Sequence, residues 1–305
     1  MKNILILLIL NTVIISCKQG ENKNVEEKAT LSVSQTLPVT LKEDFREGII
    51  DVDIHFPGSQ LSNILNKIEP GKGSIEQQLK SLIEVLSSEE QQKINTVTAS
   101  NPFVAMQVLM APLHSIIYVK ENIATAKCDG LSYHIENTVD THSNTGTVYV
   151  VSRADTSNAI TIDYDKDFFG KSQFQTKIDT ETYTRQTTRE TKVIAGYICK
   201  KSIYISKTNA PMSVAKLEVW TSEQMPKSLN FIHPYYIEEP NGIMKIDLFA
   251  NGIDGTAMVY EFKTVSKKKL SASDLSIVEK KPVYKAKTDF QKISGKLMGI
   301  MFGAN

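Results

Sequence analysis

Alternation of apolar and polar residues runs through most of the chain after residue 112, and this two-residue period predicts β-strands. A first strand is predicted earlier, over residues 48–56. The others are predicted at residues 115–120, 131–135, 147–151, 159–164, 183–188, 197–205, 214–221, 243–249 and 257–265. Gly, Asn and Asp clusters separate these segments and no helices alternate with them, so we expect an antiparallel sheet with mostly sequential pairing.

The period becomes helical between the first strand and the rest. Apolar residues recur at helical spacing over residues 79–86, and Ser87 and Glu90 have the spacing of a capping box for a second helix that ends near Val97. Asn101-Pro102 precedes a third predicted helix over residues 103–110, and a proline follows it. The expected fold class is therefore α+β and mainly β, with a helical insert near residues 60–112.

The C-terminal segment is apolar on one side. Ile293, Leu297, Ile300 and Met301 fall on one face of a short predicted helix. Two interpretations remain open at this point. The helix either closes the sheet or presents an apolar surface to a membrane or a partner.

The first 17 residues have the pattern of a lipoprotein signal. Lys2 supplies a positive charge, an apolar run follows that is too short to span a bilayer, and Ser16-Cys17 ends it. This ending resembles the bacterial lipobox, in which the cysteine receives a diacylglyceryl group. Two or more acyl chains hold a protein stably on a membrane, whereas one chain does not. The alternative is an ordinary secretory signal in which Cys17 occurs by chance.

These patterns divide the chain into three parts. Residues 1–16 are the predicted signal peptide, residues 17–45 a polar, flexible tether and residues 46–305 a single domain. We expect a protein of the bacterial envelope, anchored through lipidated Cys17, with the outer membrane as the usual destination and either the periplasm or the cell surface as the side it faces. The full chain has 35 Lys+Arg and 34 Asp+Glu, and this balance gives no electrostatic case for a nucleic-acid partner.

One acidic motif invites a calcium interpretation. Asp163, Asp165 and Asp167 alternate as hard-cation ligands do. Gly170 comes two positions late for a calcium loop, and Phe174 stands where a bidentate glutamate belongs. We therefore expect an acidic hairpin turn, and no metal site.

The remaining polar residues form no recognisable catalytic motif. The five histidines, His55, His114, His134, His142 and His233, lie in no zinc-ligand spacing. Nucleophile elbows, P-loops and dinucleotide fingerprints are absent from the sequence. We expect no catalytic residues and no cofactor, and the ligand-binding residues stay unassigned.

Cys128 and Cys199 are the cysteines of the predicted domain. An exported protein lies in an oxidising compartment, so the two could form a disulfide. The rival interpretation is a pair of buried free thiols that behave as small apolar side chains. The sequence leaves both open.

Several segments resemble, in order, those of the domain of unknown function 4412 family. One is Gly196-Tyr-Ile-Cys-Lys-Lys201 after Thr191-Lys-Val-Ile-Ala195, and further pieces occur in the same order as in the family at residues 86–90, 101–112, 117–120, 159–164 and 216–220. The resemblance spans roughly residues 45–285. It implies a half-barrel similar to LolA and LolB, in which helices cover the open side of a curved antiparallel sheet.

This resemblance implies a binding role. In that superfamily the concave face holds acyl chains, so the leading expectation is a non-catalytic domain that binds lipid, or another apolar or acylated ligand such as an acylated protein. The alternative is an envelope structural or interaction protein whose half-barrel is filled by its own side chains. An enzyme without a recognisable motif is the third possibility. A roomy apolar cavity would favour the first, and a packed interior the second.

Overall fold

A computed structural model describes residues 43–58, 60–69, 72, 75–100, 110, 112, 114–165, 176–208, 214–233 and 235–302. Four sequence predictions lie wholly or largely outside these residues: the signal peptide with Cys17, the tether up to residue 42, the third helix up to residue 109, and the calcium-loop positions Asp167, Gly170 and Phe174.

The described chain is mainly β. Its strands are β1 (Glu47–His55), β2 (His114–Lys120), β3 (Ile123–Asp129), β4 (Tyr133–Asp140), β5 (Thr145–Ser152), β6 (Ala159–Asp165), β7 (Thr176–Ile178), β8 (Tyr183–Ile194), β9 (Tyr197–Ser206), β10 (Val214–Ser222), β11 (Tyr235–Ile237), β12 (Gly242–Ala250), β13 (Met258–Lys267) and β14 (Val283–Lys285). Twelve of them form one large, open, curved sheet in the order β14-β6-β5-β4-β3-β2-β1-β13-β12-β10-β9-β8. Strands β7 and β11 form a separate parallel pair.

The prediction of one large, mainly β sheet is confirmed, but the sheet is mixed rather than wholly antiparallel. Strand β14 pairs with β6 in parallel. The reason lies in the connection between β13 and β14, because the chain crosses the sheet there instead of turning back through a hairpin. Mostly sequential pairing does hold from β2 to β6, where each strand pairs with the next.

Within the described ranges, five helices accompany the sheet: α1 (Leu61–Leu65), α2 (Ile75–Glu84), α3 (Ser88–Ser100), α4 (Ala272–Leu275) and α5 (Phe290–Phe302). A 3₁₀ turn spans Lys227–Phe231. The predicted capping box is present, because the Ser87 hydroxyl accepts from the Glu90 amide at 3.3 Å and the Glu90 carboxylate accepts from the Ser87 amide at 3.2 Å. None of the helices in this part of the chain has the length and apolar character needed to cross a membrane.

The C-terminal helix α5 lies on the sheet. Ile293 and Ile300 are fully buried against Val150, Ile160 and Ile162 of β5 and β6. This packing agrees with the first of the two interpretations of the apolar C-terminal segment. The helix closes one end of the sheet with its own apolar stripe.

The segment between α4 and β14 crosses the opposite face of the same strands. The Thr125 hydroxyl donates to the carbonyl of Leu275 at 3.0 Å, and the amide of Val278 donates to Glu136 Oε2 at 2.6 Å. The amide of Lys280 donates to the Thr161 hydroxyl at 2.7 Å. Strands β3 to β6 are therefore covered on both faces, and this explains why Thr125 and Thr161 are buried on the side that their strands would otherwise turn to water.

The other half of the sheet curls on itself. Strands β8 and β13 stand four places apart in the sheet, which in a flat arrangement is about 19 Å. Lys192 of β8 nevertheless reaches Glu261 of β13, with 3.7 Å between Nζ and Oε1. An irregularity in β8 between Thr187 and Thr191 permits the bend.

Candidate functional site

One face of the sheet carries the main core and is the place where an apolar ligand would bind. We call it the apolar face. Ile50, Ile117, Leu217, Ile246 and Phe262, which come from five different strands, are at most 1% exposed. They belong to one continuous cluster of buried side chains that extends from β1 to β13 and on to β8.

Side chains from outside the sheet complete this core. Helix α1 contributes Leu61 and Leu65, the segment around the 3₁₀ turn contributes Leu229, and the small β7–β11 pair contributes Ile178 and Ile237. Each is at most 3% exposed. Within the described residues the apolar face is therefore covered by the protein's own side chains, and an acyl chain would have to displace them to lie there.

An ion pair between a buried carboxylate and a partly exposed guanidinium lies at the β8 edge of this core. Glu239 is 1% exposed, and its two oxygens accept from Arg185 Nε at 3.0 Å and Nη2 at 2.9 Å. The Tyr204 hydroxyl donates to the same carboxylate at 2.6 Å. These hydrogen bonds to Glu239 raise the pKa of Arg185, and burial raises the pKa of the Tyr204 hydroxyl. Glu239 thus accepts two hydrogen bonds from Arg185 and a third from Tyr204. These three bonds hold β8 and β9 to the segment that contains Glu239, between β11 and β12.

His233 is the most deeply buried histidine of the described chain. Its Nε2 lies 3.1 Å from the carbonyl of Ile243, and its ring packs edge-on against Tyr260 with 4.6 Å between centroids. Burial lowers the pKa of His233 from 6.5 to about 3, because the charged imidazolium loses its hydration there.

His233 is expected to make the fold sensitive to acid. The unfolded chain takes up a proton below pH 6.5 and the folded chain does not until about pH 3, so stability is lost as pH falls through this window. In urea titrations the wild type should lose about 2 kcal/mol more between pH 7 and pH 5 than His233→Gln. His142→Gln, at an exposed position, is the control and should keep the wild-type slope. Equal slopes in all three proteins would contradict this assignment.

The other histidines occupy ordinary surface or sheet positions. His55 Nδ1 lies 2.7 Å from Asp53, and His134 Nδ1 lies 2.8 Å from Asp129 with Glu136 at 3.4 Å from Nε2. His114 and His142 are exposed. No group of three or more potential metal ligands with suitable geometry occurs in the described part of the chain.

Asp163 and Asp165 of the acidic motif lie within strand β6 rather than in the expected hairpin turn, and Asp163 is engaged by protein side chains. The Thr147 hydroxyl donates to its Oδ1 at 2.9 Å, and the Lys285 ammonium pairs with its Oδ2. Both partners come from strands that flank β6, so this carboxylate helps to fix β14 at the sheet edge.

The two domain cysteines are free and buried in the structure. They lie on β3 and β9, which five other strands separate in the sheet. Cys128 Sγ lies 3.1 Å from the Ser115 hydroxyl, and Cys199 Sγ lies 3.4 Å from the sulfur of Met244. Burial raises the pKa of Cys128 to about 11 and that of Cys199 to about 12.

Both thiols are expected to be present and unreactive in the folded protein, since the thiolate is the reactive form. In the chain from Lys18 onward, which lacks Cys17, a thiol-specific disulfide reagent at pH 8 should label them at least about a hundredfold more slowly than in guanidinium, where two thiols should react per chain. A chain that shows no thiol after unfolding would instead contain the disulfide.

Two open clefts are lined by described residues. One of about 480 Å³ lies between Phe56-Pro57, the start of α3 at Glu89 and Lys93, and the β12–β13 turn at Ile253. Another of about 340 Å³ lies beside α4 over Thr138, Asp140 and Thr147. The lining of each includes hydroxyl or charged groups together with apolar atoms.

Comparison with known proteins gives no family. No protein-family model matches the chain, and no curated protein does. Among solved structures, PNGF-II is similar at 15% identity and a TM-score of 0.38, over 60% of this chain and 29% of its own. An uncharacterized conserved protein from Thermus thermophilus is similar at 7% identity and a TM-score of 0.32, over 56% of this chain and 81% of its own. Likenesses this low carry no conclusion about fold relatives or activity.

Sequence reasoning left the ligand-binding residues unassigned. It missed the Arg185–Glu239 pair, because the partners are 54 residues apart and no local pattern links them. His233 lies in no zinc-ligand or catalytic pattern of the sequence, and no local pattern marked its burial.

Proposed function

We propose that this protein is a lipid-anchored lipoprotein of the bacterial envelope whose domain is non-catalytic and acts by binding another envelope protein through its surface. In the part of the chain that the structure describes, the apolar face of its half-barrel-like sheet is covered by the protein's own side chains. Of the two binding roles that the sequence left open, this is the one without a ligand cavity.

The observation that carries the proposal is the packing of the apolar face. Side chains from five strands, from α1 and from the segments at 178, 229 and 237 together cover it, and the central ones are at most 1% exposed. Pockets that bury most of an apolar ligand are usually concave and formed before the ligand binds, whereas the two clefts lined by described residues are open to solvent. A filled interior leaves the surface as the place where a partner binds.

The envelope location is supported by the lipobox-like ending Ile14-Ile15-Ser16-Cys17 and by the polar segment that follows it. Lipidated Cys17 would be the membrane attachment. The outer membrane, with the domain facing the periplasm or the cell surface, is the destination we propose.

Native mass spectrometry tests the absence of cargo. The chain from Lys18 onward, exported behind a cleavable signal and purified from the envelope without detergent, should show the mass of the bare polypeptide. That mass should stay unchanged after incubation with phospholipid vesicles. Reproducible adducts with the masses of phospholipid or fatty acid would overturn the proposal and make the domain a lipid carrier.

A further inference from the structure

Two Asn-Gly pairs flank strand β12. Asn241-Gly242 lies at its start, and Asn251-Gly252 follows directly after its end. Asparagine is a chemically labile residue. Its side-chain amide is attacked most easily when glycine follows, because no Cβ hinders the approach of the next backbone nitrogen. Since both pairs have the same two residues, a difference in their reactivity must come from the fold.

The pair Asn241-Gly242 is held in place by hydrogen bonds and packing. The attacking atom would be the nitrogen of Gly242, and its N–H already donates to the carbonyl of Met225 at 3.1 Å. The carbonyl of Asn241 accepts from Asn230 Nδ2 at 2.9 Å. Gly242 is buried, and a Cβ built on it would lie 2.6 Å from the Cβ of Met225. Ring closure here would break the bond to Met225 and move a tightly packed peptide.

The pair Asn251-Gly252 lies in the middle of the turn that leads from β12 toward β13. The turn is closed by a hydrogen bond from the amide of Ile253 to the carbonyl of Ala250 at 3.3 Å. Within the described residues, the Gly252 N–H donates to no acceptor. Gly252 is exposed with a φ of +80°, and a Cβ built on it would meet nothing within 4 Å. The nitrogen of Gly252 is therefore accessible, and its surroundings leave room for its peptide to move toward the Asn251 side chain.

We propose that Asn251 is a site of spontaneous deamidation in the folded protein and that the fold protects Asn241 from the same reaction. The Gly252 nitrogen gives its proton to hydroxide and attacks the side-chain carbonyl carbon of Asn251. A carbon–nitrogen bond closes a five-membered succinimide, and the side-chain nitrogen takes a proton from water and leaves as ammonia. Water then opens the ring at either carbonyl and yields aspartate or isoaspartate at position 251.

The product changes one edge of a cleft. Ile253, Asp254 and Thr256 of the same turn line the cleft of about 480 Å³ that Phe56 and Lys93 also line. Deamidation adds a carboxylate to a turn that already carries Asp254. In isoaspartate the main chain also runs through the former side chain and is longer by one carbon. The reaction therefore alters the charge and the shape of this edge of the cleft as the molecule ages.

The test follows both asparagines in the same molecules. Full mature protein is incubated at pH 8, and trypsin cleavage after Lys227, Lys245 and Lys263 places the two sites in separate peptides. Fragmentation in the mass spectrometer measures aspartate and isoaspartate at each site, and digestion in water labelled with heavy oxygen marks conversion during handling. Asn251 should deamidate at least about tenfold faster than Asn241, because only the protected site gives up hydrogen bonds and packing when it reacts.

Two controls assign the difference to the fold. In guanidinium the structure is lost, and the two sites should react at similar rates because both are Asn-Gly-Ile. Asn251→Gln should abolish the modification at 251 and leave Asn241 unchanged, since glutamine would have to close a larger ring. Equal rates at the two sites of the folded protein, or a faster reaction at Asn241, would overturn the proposal. So would a folded protein that keeps Asn251 intact over the time in which the unfolded chain is modified there.

Discussion

Replacing Arg185 by methionine is expected to lower the free energy of unfolding by about 2–4 kcal/mol. The substitution leaves Glu239, which is 1% exposed, without the cation that holds both of its oxygens. Removing one partner of a buried pair costs more than the pair itself contributes, because the remaining charge loses its water without compensation. The Arg185 side chain is 34% exposed, so water can reach the ion pair and partly solvate Glu239 in the variant. We therefore expect a smaller loss of unfolding free energy than for a fully buried pair.

Urea or guanidinium titration followed by circular dichroism measures this loss. Arg189→Met on the same edge strand, at an exposed position, is the matched control and should change stability by less than about 0.5 kcal/mol. The double substitution Arg185→Met with Glu239→Leu should recover much of the loss, since it removes the stranded charge. Equal stability of the Arg185 and Arg189 variants would show that the pair does not stabilise the fold.

Replacing Cys17 by alanine is expected to move the protein from the membrane to the soluble fraction of the envelope. The proposed anchor is the set of acyl chains on this cysteine, and two or more chains are what make such anchoring stable. The loss from the membrane fraction should be nearly complete.

Fractionation after osmotic lysis, with detection by antibody, measures the change. Cys128→Ala is a matched control, since it removes a buried thiol of the domain and leaves the proposed lipidation position intact. A Cys17→Ala protein that remained with the membrane after washes with high salt would contradict the proposed anchor.

Much of the fold follows from the sequence because local pattern and burial agree. In β12, Ile246 and Leu248 are buried and alternate with half-buried Lys245 and Asp247, and this two-residue period was enough to predict the strand. The capping box at Ser87 was equally local, since both of its hydrogen bonds join residues three positions apart.

Strand β3 was missed, and its residues show why. Ala124 and Ala126 turn to the apolar face, and alanine is too small and too weakly apolar to stand out in the pattern. Thr125 on the other face is also buried, because the end of α4 lies over it and the carbonyl of Leu275 accepts its hydroxyl hydrogen bond. Because both faces of β3 are covered, its residues do not alternate between buried and exposed positions, and the sequence shows no two-residue period there.

The buried polar contacts needed the folded structure. The Arg185–Glu239 pair depends on where the segment before β12 packs, and the parallel pairing of β14 with β6 depends on a crossing of the sheet. Neither leaves a periodic trace in the chain. The curling of the sheet, which brings Lys192 to Glu261, could not be predicted either. It accompanies an irregularity in the pairing of β8, and no pattern in the sequence indicates that irregularity.

The measurement that tests the central claim most directly is the intact mass of the wild-type protein extracted from membranes of its own cell type. The expected mass is that of a polypeptide that begins at Cys17 and carries a diacylglyceryl group, with or without an amide-linked acyl chain. Alkaline release of the ester-linked fatty acids should remove most of the added mass. An unmodified polypeptide, or one that begins at another residue, would contradict it.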